Sequence, residues 1–446
     1  MNTAEIARQI ASLSPIRTFG EVISIRAGGI HVAGLSRRGS LGDRVQIART
    51  GRPLFGEIVA LTPRSALVLP EGALEGLSVG AEAELLSAPQ IRPTDAWIGR
   101  IVDAFGQPLD GRPLASGRAA RDYLAVPPPA TARRRLGQRL ATGLAIFDTL
   151  LPMVRGQRLG LFAGSGVGKT TLLGSLAKGV EADITVIALI GERGRELREF
   201  LEEVLGPEGM ARSVVVAATS DQAPLVRRRC AWAAMAVAEH FRDQGRHVLF
   251  LADSITRFAE AHREIALMAG ESPSYRGFPA STSHLIMSLA ERSGPGAEGM
   301  GDITGIFSVL VAGSDMDEPV ADILRGVLDG HVVLDRAIAE RGRFPAIDVL
   351  RSVSRSLPEA ATEAENRLIG QARHNLGLYA ESELMIRAGL YAQGSDAALD
   401  EAVRLYPALE EFITRRTDGV EASFGLLADA LMPGQRRPGS PAPHQG

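Results

Sequence analysis

Apolar residues at the start of the chain fall at helical spacing, with Ile6, Ile10 and Leu13 on one face until Pro15 stops the pattern, so residues 1–15 predict a short amphipathic segment. From about residue 16 to residue 90 they come instead in short β-type runs broken by glycine: EVISIRAGGIHVAGL, RVQIAR, LFGEIVAL and SALVLP. That spacing predicts a small closed β-barrel. A passage with Pro108, Pro113 and prolines at 127–129 reads as a linker crossing to the next domain.

Between about residues 144 and 353 the runs RLGLFAG, ITVIALIG, SVVVAA, HVLFLADS and IFSVLVAG alternate with helical segments. Each is short, β-branched or aromatic, and apolar enough to be buried on both faces, which predicts an α/β fold with a parallel sheet covered by helices. From about 359 to 431 the periodicity is helical throughout, with Gly389, Gly394 and Pro407 as breaks, and the closing PGQRRPGSPAPHQG has the composition of a disordered tail. The predicted division is a segment 1–15, a barrel 16–90, an α/β domain 91–358, a helical domain 359–433 and a tail 434–446. No internal repeat is evident.

Composition adds little against this division. The chain of 446 residues is 45% hydrophobic and 23% charged, near the soluble globular average, and long enough for several cores. A net charge of −3 gives the whole molecule no bias toward nucleic acid. The arginine runs at 133–135 and 227–229 carry no interleaved aromatic residues and read as solvated or phosphate-facing surface. The single cysteine, Cys230, excludes an intramolecular disulfide and sits in an alanine-rich helical stretch, where it reads as packing. No apolar run reaches bilayer length and no leader pattern opens the chain, so a cytoplasmic protein is expected.

The chemistry lies in the α/β region. RLGLFAGSGVGKTTLL reads as a buried strand, a glycine-rich turn and a helix start, the context of a phosphate-binding loop. Ala163, Gly164, Ser165, Gly166, Val167 and Gly168 would turn backbone N–H groups around phosphate oxygens, with Thr171 just inside the helix. Lys169 would reach the β- and γ-phosphates of ATP, and the Thr170 hydroxyl would take a coordination site on Mg2+. Ala163 stands where the common pattern has glycine, and a small residue still fits. HVLFLADSITRF ends a second strand in Asp253, placed to hold Mg2+ through water; taken alone, an aspartate after a strand is usually a helix cap, a duty Ser254 would share. ITVIALIGERGRE ends a third strand in Glu192, a carboxylate that could polarise the attacking water while Arg193 orders the site. Spacing leaves open a plain ion pair between Glu192 and Arg193.

These strings, in this order, resemble the ring-forming ATPases related to the catalytic subunit of the rotary ATP synthases, and within them the type III export ATPases of the flagellar kind. GRIVDAFGQPLDG, GQRLGLFAGSGVGKTT, ALIGERGRE, AEHFRDQGRHVLFLADSITRFAEAHREIAL, LDGHVVLDRAIAERGRFPAIDVLRSVSR and YAQGSDAALDEAVRLYPALEEFI carry the resemblance over nearly the whole chain, and the alanine of AGSGVGK looks like the secretion branch. The resemblance implies a RecA-like P-loop NTPase core with an N-terminal β-barrel and a C-terminal α-helical domain. It implies Glu192 as catalytic carboxylate, Asp253 on the magnesium side, Arg355 as an arginine finger reaching a neighbouring subunit, and Phe344 against adenine. Without it, Phe344 would read as core packing and Arg355 as a surface charge at a helix start. With Glu192 and Arg355 on one polypeptide, a homohexameric ring is implied. The implied partners are a regulatory protein at the N-terminal segment, a stalk protein, export gate components, export substrates and chaperones, with no nucleic acid and with peripheral inner-membrane association through the export apparatus.

Three other readings remain at this point. A virulence-type III secretion ATPase would share every motif. An RNA translocase of the same class needs a basic, aromatic surface, which 5% aromatic content and a slightly acidic charge do not favour. A non-catalytic nucleotide-binding subunit would have no need of Glu192.

Overall fold

The computed structural model describes residues 17–26, 28–311 and 316–432, so the predicted N-terminal segment and C-terminal tail lie outside the described residues. The first six strands, β1 (Thr18–Arg26), β2 (Gly29–Ala33), β3 (Arg44–Ile47), β4 (Leu54–Leu61), β5 (Ser65–Pro70) and β6 (Glu82–Leu85), close a barrel in the order β1-β2-β5-β4-β3-β6. Alternate residues such as Val22, Ile30, Val32, Val45, Ile47 and Val68 fill its interior as a separate core.

The remaining strands are β7 (Gln90–Ile91), β8 (Arg100–Val102), β9 (Arg121–Asp122), β10 (Arg158–Ala163), β11 (Ile184–Glu192), β12 (Ser213–Thr219), β13 (Val248–Asp253), β14 (Gly294–Pro295), β15 (Asp302–Leu310), β16 (Gly330–Leu334) and β17 (Ile347–Ser354). Nine of them form one sheet along the path β17-β16-β10-β15-β13-β11-β12-β8, with β14 beside β15. Pairing is parallel from β16 to β8 and antiparallel at β14 and β17. The two-residue period of a strand assigns its side chains to two cores. In β11, Ile184, Val186, Ala188 and Ile190 face helices Pro224–Arg242 and Ile255–Met268, while Ile187 and Leu189 face the core that includes Leu172 and Leu176 of helix Lys169–Gly179. Both faces being buried is why these strands read as continuous apolar runs.

Several expectations are corrected. The proline-rich passage is not a bridging linker: β8 adds an edge to the main sheet, Trp97, Val102, Ala104 and Tyr123 are buried in its core, and Trp97 Nε1 donates to the Ala115 carbonyl. Prolines fix the turns there while widely spaced apolar residues anchor them. The arginine runs are solvated surface only in part: Arg134 and Arg135 are exposed, but the others are not. Arg228 and Arg229 are buried and share the Glu57 carboxylate of the barrel, Arg229 also pairs with Glu71 at 3.0 Å, and Arg133 and Arg134 bind Glu291 and Asp302. Their partners are remote in sequence, which local patterning cannot reveal. Pro407 does not break the helix Ala397–Thr414, because Leu405, Leu409 and Phe412 bury its face and offset a proline penalty of about 3 kcal/mol. Strands β6, β16 and β17 were not among the runs read as strands. Cys230 is fully buried, with Sγ near the Leu189 and Val216 carbonyls.

The helices Glu363–Arg387, Ala397–Thr414 and Val420–Leu431 pack into the same core as one face of the sheet. Asp148, fully buried, ties the two together. Its carboxylate accepts from the Thr142 backbone N–H and hydroxyl at 2.8 Å each, from Ser423 Oγ at 2.9 Å and from Thr417 Oγ1 at 3.1 Å. Among the described residues no helix is long and apolar enough to cross a membrane.

Candidate nucleotide site

Strands β10, β11, β13 and β15 are neighbours in the sheet, and their carboxyl ends converge on one cleft of about 860 Å³. After β10 the chain turns through Gly166 (φ 77°) and Gly168 (φ 83°), left-handed positions that a Cβ would disfavour, and enters helix Lys169–Gly179. Gly168 has a second reason to lack a side chain: an added Cβ would stand 3.2 Å from the Phe344 ring. Ala163, Gly164, Ser165, Gly166, Gly168, Lys169 and Thr170 all line the cleft, whereas Val167 is buried beneath the loop and packs in the core.

Lys169 Nζ contacts Asp253 Oδ1 and stands 4.0 Å from Glu192 Oε1. Asp253, at the end of β13, is 5% exposed and also accepts from Ser308 Oγ at 2.6 Å. The helix that follows, Ile255–Met268, is capped by Ser254, whose Oγ accepts from the Arg257 N–H, so Asp253 is left to face the loop.

Glu192 ends β11 still paired with Thr219 of β12, just after a bulge at Gly191 (φ 68°). Burial raises its carboxyl, the Asp253 charge raises it further and Lys169 opposes both, leaving it at about 7. Glu192 is also hydrogen-bonded to Glu196, whose own carboxyl is lowered by that bond and by Arg193. Arg193 points outward, 2.9 Å from Glu196 Oε1, and so meets Glu192 only through that intermediary. Sequence reasoning missed Glu196, Ser308, Arg257 and Glu260 at this cleft, while Arg227, read as solvated or phosphate-facing, lines it; Arg257 pairs with Glu260 at 2.9 Å. The second glutamate of GERGRE, four residues from Glu192, was the legible signal for Glu196.

Beside the loop, a pocket of about 360 Å³ is lined by Gly168, Thr171, Leu172, Ser175, Phe344, Pro345, Thr414 and Arg416. Phe344 is 51% exposed and is not a core residue. Arg355 stands in the turn after β17 rather than at a helix start. It is absent from the cleft around Lys169, and its guanidinium donates to the Leu328 and Arg325 carbonyls at 3.2 Å each. Among the described residues it pairs with no carboxylate.

The Thr170 hydroxyl in the cleft and the Asp253 carboxylate beside Lys169 are hard oxygen donors, and no group of three or more His, Cys, Asp or Glu side chains among the described residues is arranged to hold a metal. Hard oxygen donors too few for a complete protein cage suit Mg2+ carried in with phosphates.

The nucleotide-binding domain of the ATP synthase alpha/beta family matches residues 143–354, and the C-terminal domain of the type III secretion ATPase EscN matches residues 361–423. The flagellum-specific ATP synthase of Caulobacter vibrioides is 45% identical over 95% of this chain and 98% of its own. The type 3 secretion system ATPase of Xanthomonas euvesicatoria is 40% identical over 94% of this chain and 95% of its own. Among solved structures, the assembled ATPase EscN of enteropathogenic E. coli in complex with its central stalk EscO superposes with a TM-score of 0.84 at 35% identity, covering 92% of this chain and all of that one.

Proposed function

The chain belongs to the ATP synthase alpha/beta family, in the branch of the flagellum-specific ATP synthases and type III secretion ATPases, and from that footing we propose that it is the ATP-hydrolysing motor of a flagellar protein-export apparatus. The observation that carries the reading is the meeting of Lys169, Asp253 and Glu192 beside one glycine-rich loop. Loop N–H groups and Lys169 hold the phosphates of ATP, with Thr171 beside the same nucleotide and Phe344 against adenine. Mg2+, held by Thr170 and by Asp253 through water, would supply charge neutralisation on the phosphates. Glu192 accepts a proton from water as the water oxygen bonds to the γ-phosphorus. The bond from that phosphorus to the bridging oxygen breaks, and ADP keeps the electron pair.

The charge that develops on the phosphates calls for one more cation. Arg355, whose guanidinium meets only carbonyl oxygens among the described residues, can supply it to the neighbouring chain's nucleotide in a homohexameric ring. The relative assembled with its central stalk supports a ring around a stalk protein. The same reading gives the chain a regulatory protein at residues 1–15, export gate components, export substrates and chaperones as partners, no nucleic acid, and a cytoplasmic place peripheral to the inner membrane.

Replacing Glu192 by Gln tests the chemistry: ATP affinity stays near that of the parent while turnover falls at least about a hundredfold. Undiminished turnover would remove Glu192 from the mechanism. A second reading, the ATPase of a virulence-type secretion system, is favoured by the 40% identity to the Xanthomonas protein. Deleting the gene separates the two, since loss of motility supports the first and loss of secreted effectors with motility intact supports the second.

A further inference from the structure

The exposed ring of Phe344 is held in place by the residue before it. Arg343, whose side chain is 11% exposed, donates through Nη1 to the Pro345 carbonyl at 3.2 Å and the Ile347 carbonyl at 2.9 Å, so its guanidinium staples the loop that displays the ring. Its Nε lies 3.1 Å from Glu410 Oε2 as an ion pair rather than an aligned hydrogen bond, and Nε–H has no acceptor in line. Glu410 belongs to helix Ala397–Thr414, one turn before Thr414, and Thr414 lines the same pocket as Phe344. The loop carrying the ring and the last turn of that helix are therefore two walls of one pocket, joined behind it by a charge pair. Behind the pair is a cavity of about 260 Å³, lined also by Leu376, Tyr406 and Ile413, which gives both side chains room to shift.

We propose that Arg343 and Glu410 are positioning residues that set the Phe344 ring against the nucleotide base and pass occupancy of the base pocket to helix Ala397–Thr414. The proposal rests on the reading of Phe344 as the base contact. A base entering between Phe344 and Thr414 fixes the spacing of the two walls. A largely buried ion pair resists separation more than a solvated one, so loop and helix move together. Without the carboxylate, Arg343 still holds its loop through two carbonyls, but the helix no longer follows.

The test is steady-state ATPase kinetics on the full chain carrying Glu410→Gln, Phe344→Ala or both, with hydrogen exchange across residues 405–414 in the presence and absence of ADP. Glu410→Gln raises KM for ATP about three- to tenfold and lowers kcat far less, Phe344→Ala raises KM at least as much, and the double variant is no worse than Phe344→Ala alone because the two act through one contact. ADP protects 405–414 in the parent and fails to do so in Glu410→Gln at saturating nucleotide. Glu410→Asp, which keeps the charge, recovers part of the KM and guards against a folding defect. Multiplying effects in the double variant, a KM for Glu410→Gln within twofold of the parent, or retained protection would each overturn the relay. If Phe344→Ala leaves KM unchanged, the base assignment itself falls; if it raises KM while Glu410→Gln does not, the assignment stands and the relay alone is lost.

Discussion

Glu192 is the residue whose chemistry depends most on where the fold puts it. Burial and the nearby Asp253 raise its carboxyl to about 7, against an ordinary glutamate value of 4.5. In the proposed reaction the base is the deprotonated form, so kcat/KM for ATP should rise about tenfold per pH unit below 7 and level off above it, while the residual activity of Glu192→Gln shows no such rise. A profile flat from pH 6 to 8 in the parent would assign the proton transfer elsewhere. The same shift works against the fold: below pH 4.5 the carboxyl is protonated folded or unfolded and costs nothing, and from there toward 7 the unfolded chain gains by ionising first. Lys169, Thr170, Asp253 and Glu192 were legible because each follows a strand whose apolar run is unmistakable. Phe344 and Arg355 were not, since their surroundings are assembled from elements far away in sequence, and only motif resemblance singled them out.

At the level of elements, the parallel strands were the most readable part of the chain and the contacts between elements the least. β10, β11, β12, β13 and β15 are buried on both faces and so appear as continuous apolar runs. β6, four residues long with glutamate at alternate positions, carries no such mark, and Arg100 opens β8 with a charge. The pairing of Arg228 and Arg229 with Glu57 spans 171 and 172 residues, beyond any local pattern, and it fastens helix Pro224–Arg242 to barrel strand β4. Arg228 is also stacked over Trp232, 4.8 Å from the ring centre. Because both arginines are buried, Glu57→Ala leaves Arg228 without a carboxylate and Arg229 with Glu71 alone, and should cost about 3–5 kcal/mol. A thermal melt with a barrel-specific probe reads this directly, and a change under about 1 kcal/mol would show that water replaces the carboxylate easily.

For the whole molecule, the proposed reading of Arg355, which lies outside its own cleft, makes copies cooperate. Arg355→Ala should assemble like the parent and lose most ATPase activity, as should Lys169→Ala. Mixed together, the two chains should regain some activity, because an intact loop in one can meet an intact arginine from the next. Mixtures no more active than their components would place the completing cation within the chain. The order of barrel, sheet and helices was readable from changes in hydrophobic spacing. That the last helices share a core with the sheet was not, since helical periodicity shows which face is apolar and not what covers it.

Asp148 gives that shared core a consequence for synthesis. Two of its four donors lie at residue 142, ahead of the phosphate loop, and the others at residues 417 and 423, near the end of the described chain. A ribosome therefore finishes the loop and all its strands long before the carboxylate gains the hydroxyls of Thr417 and Ser423. A product released early holds a buried anion half satisfied and leaves bare the apolar face that Leu405, Leu409 and Phe412 would cover. An incomplete chain would thus present apolar surface of the kind that chaperones and proteases bind, and a finished one would not.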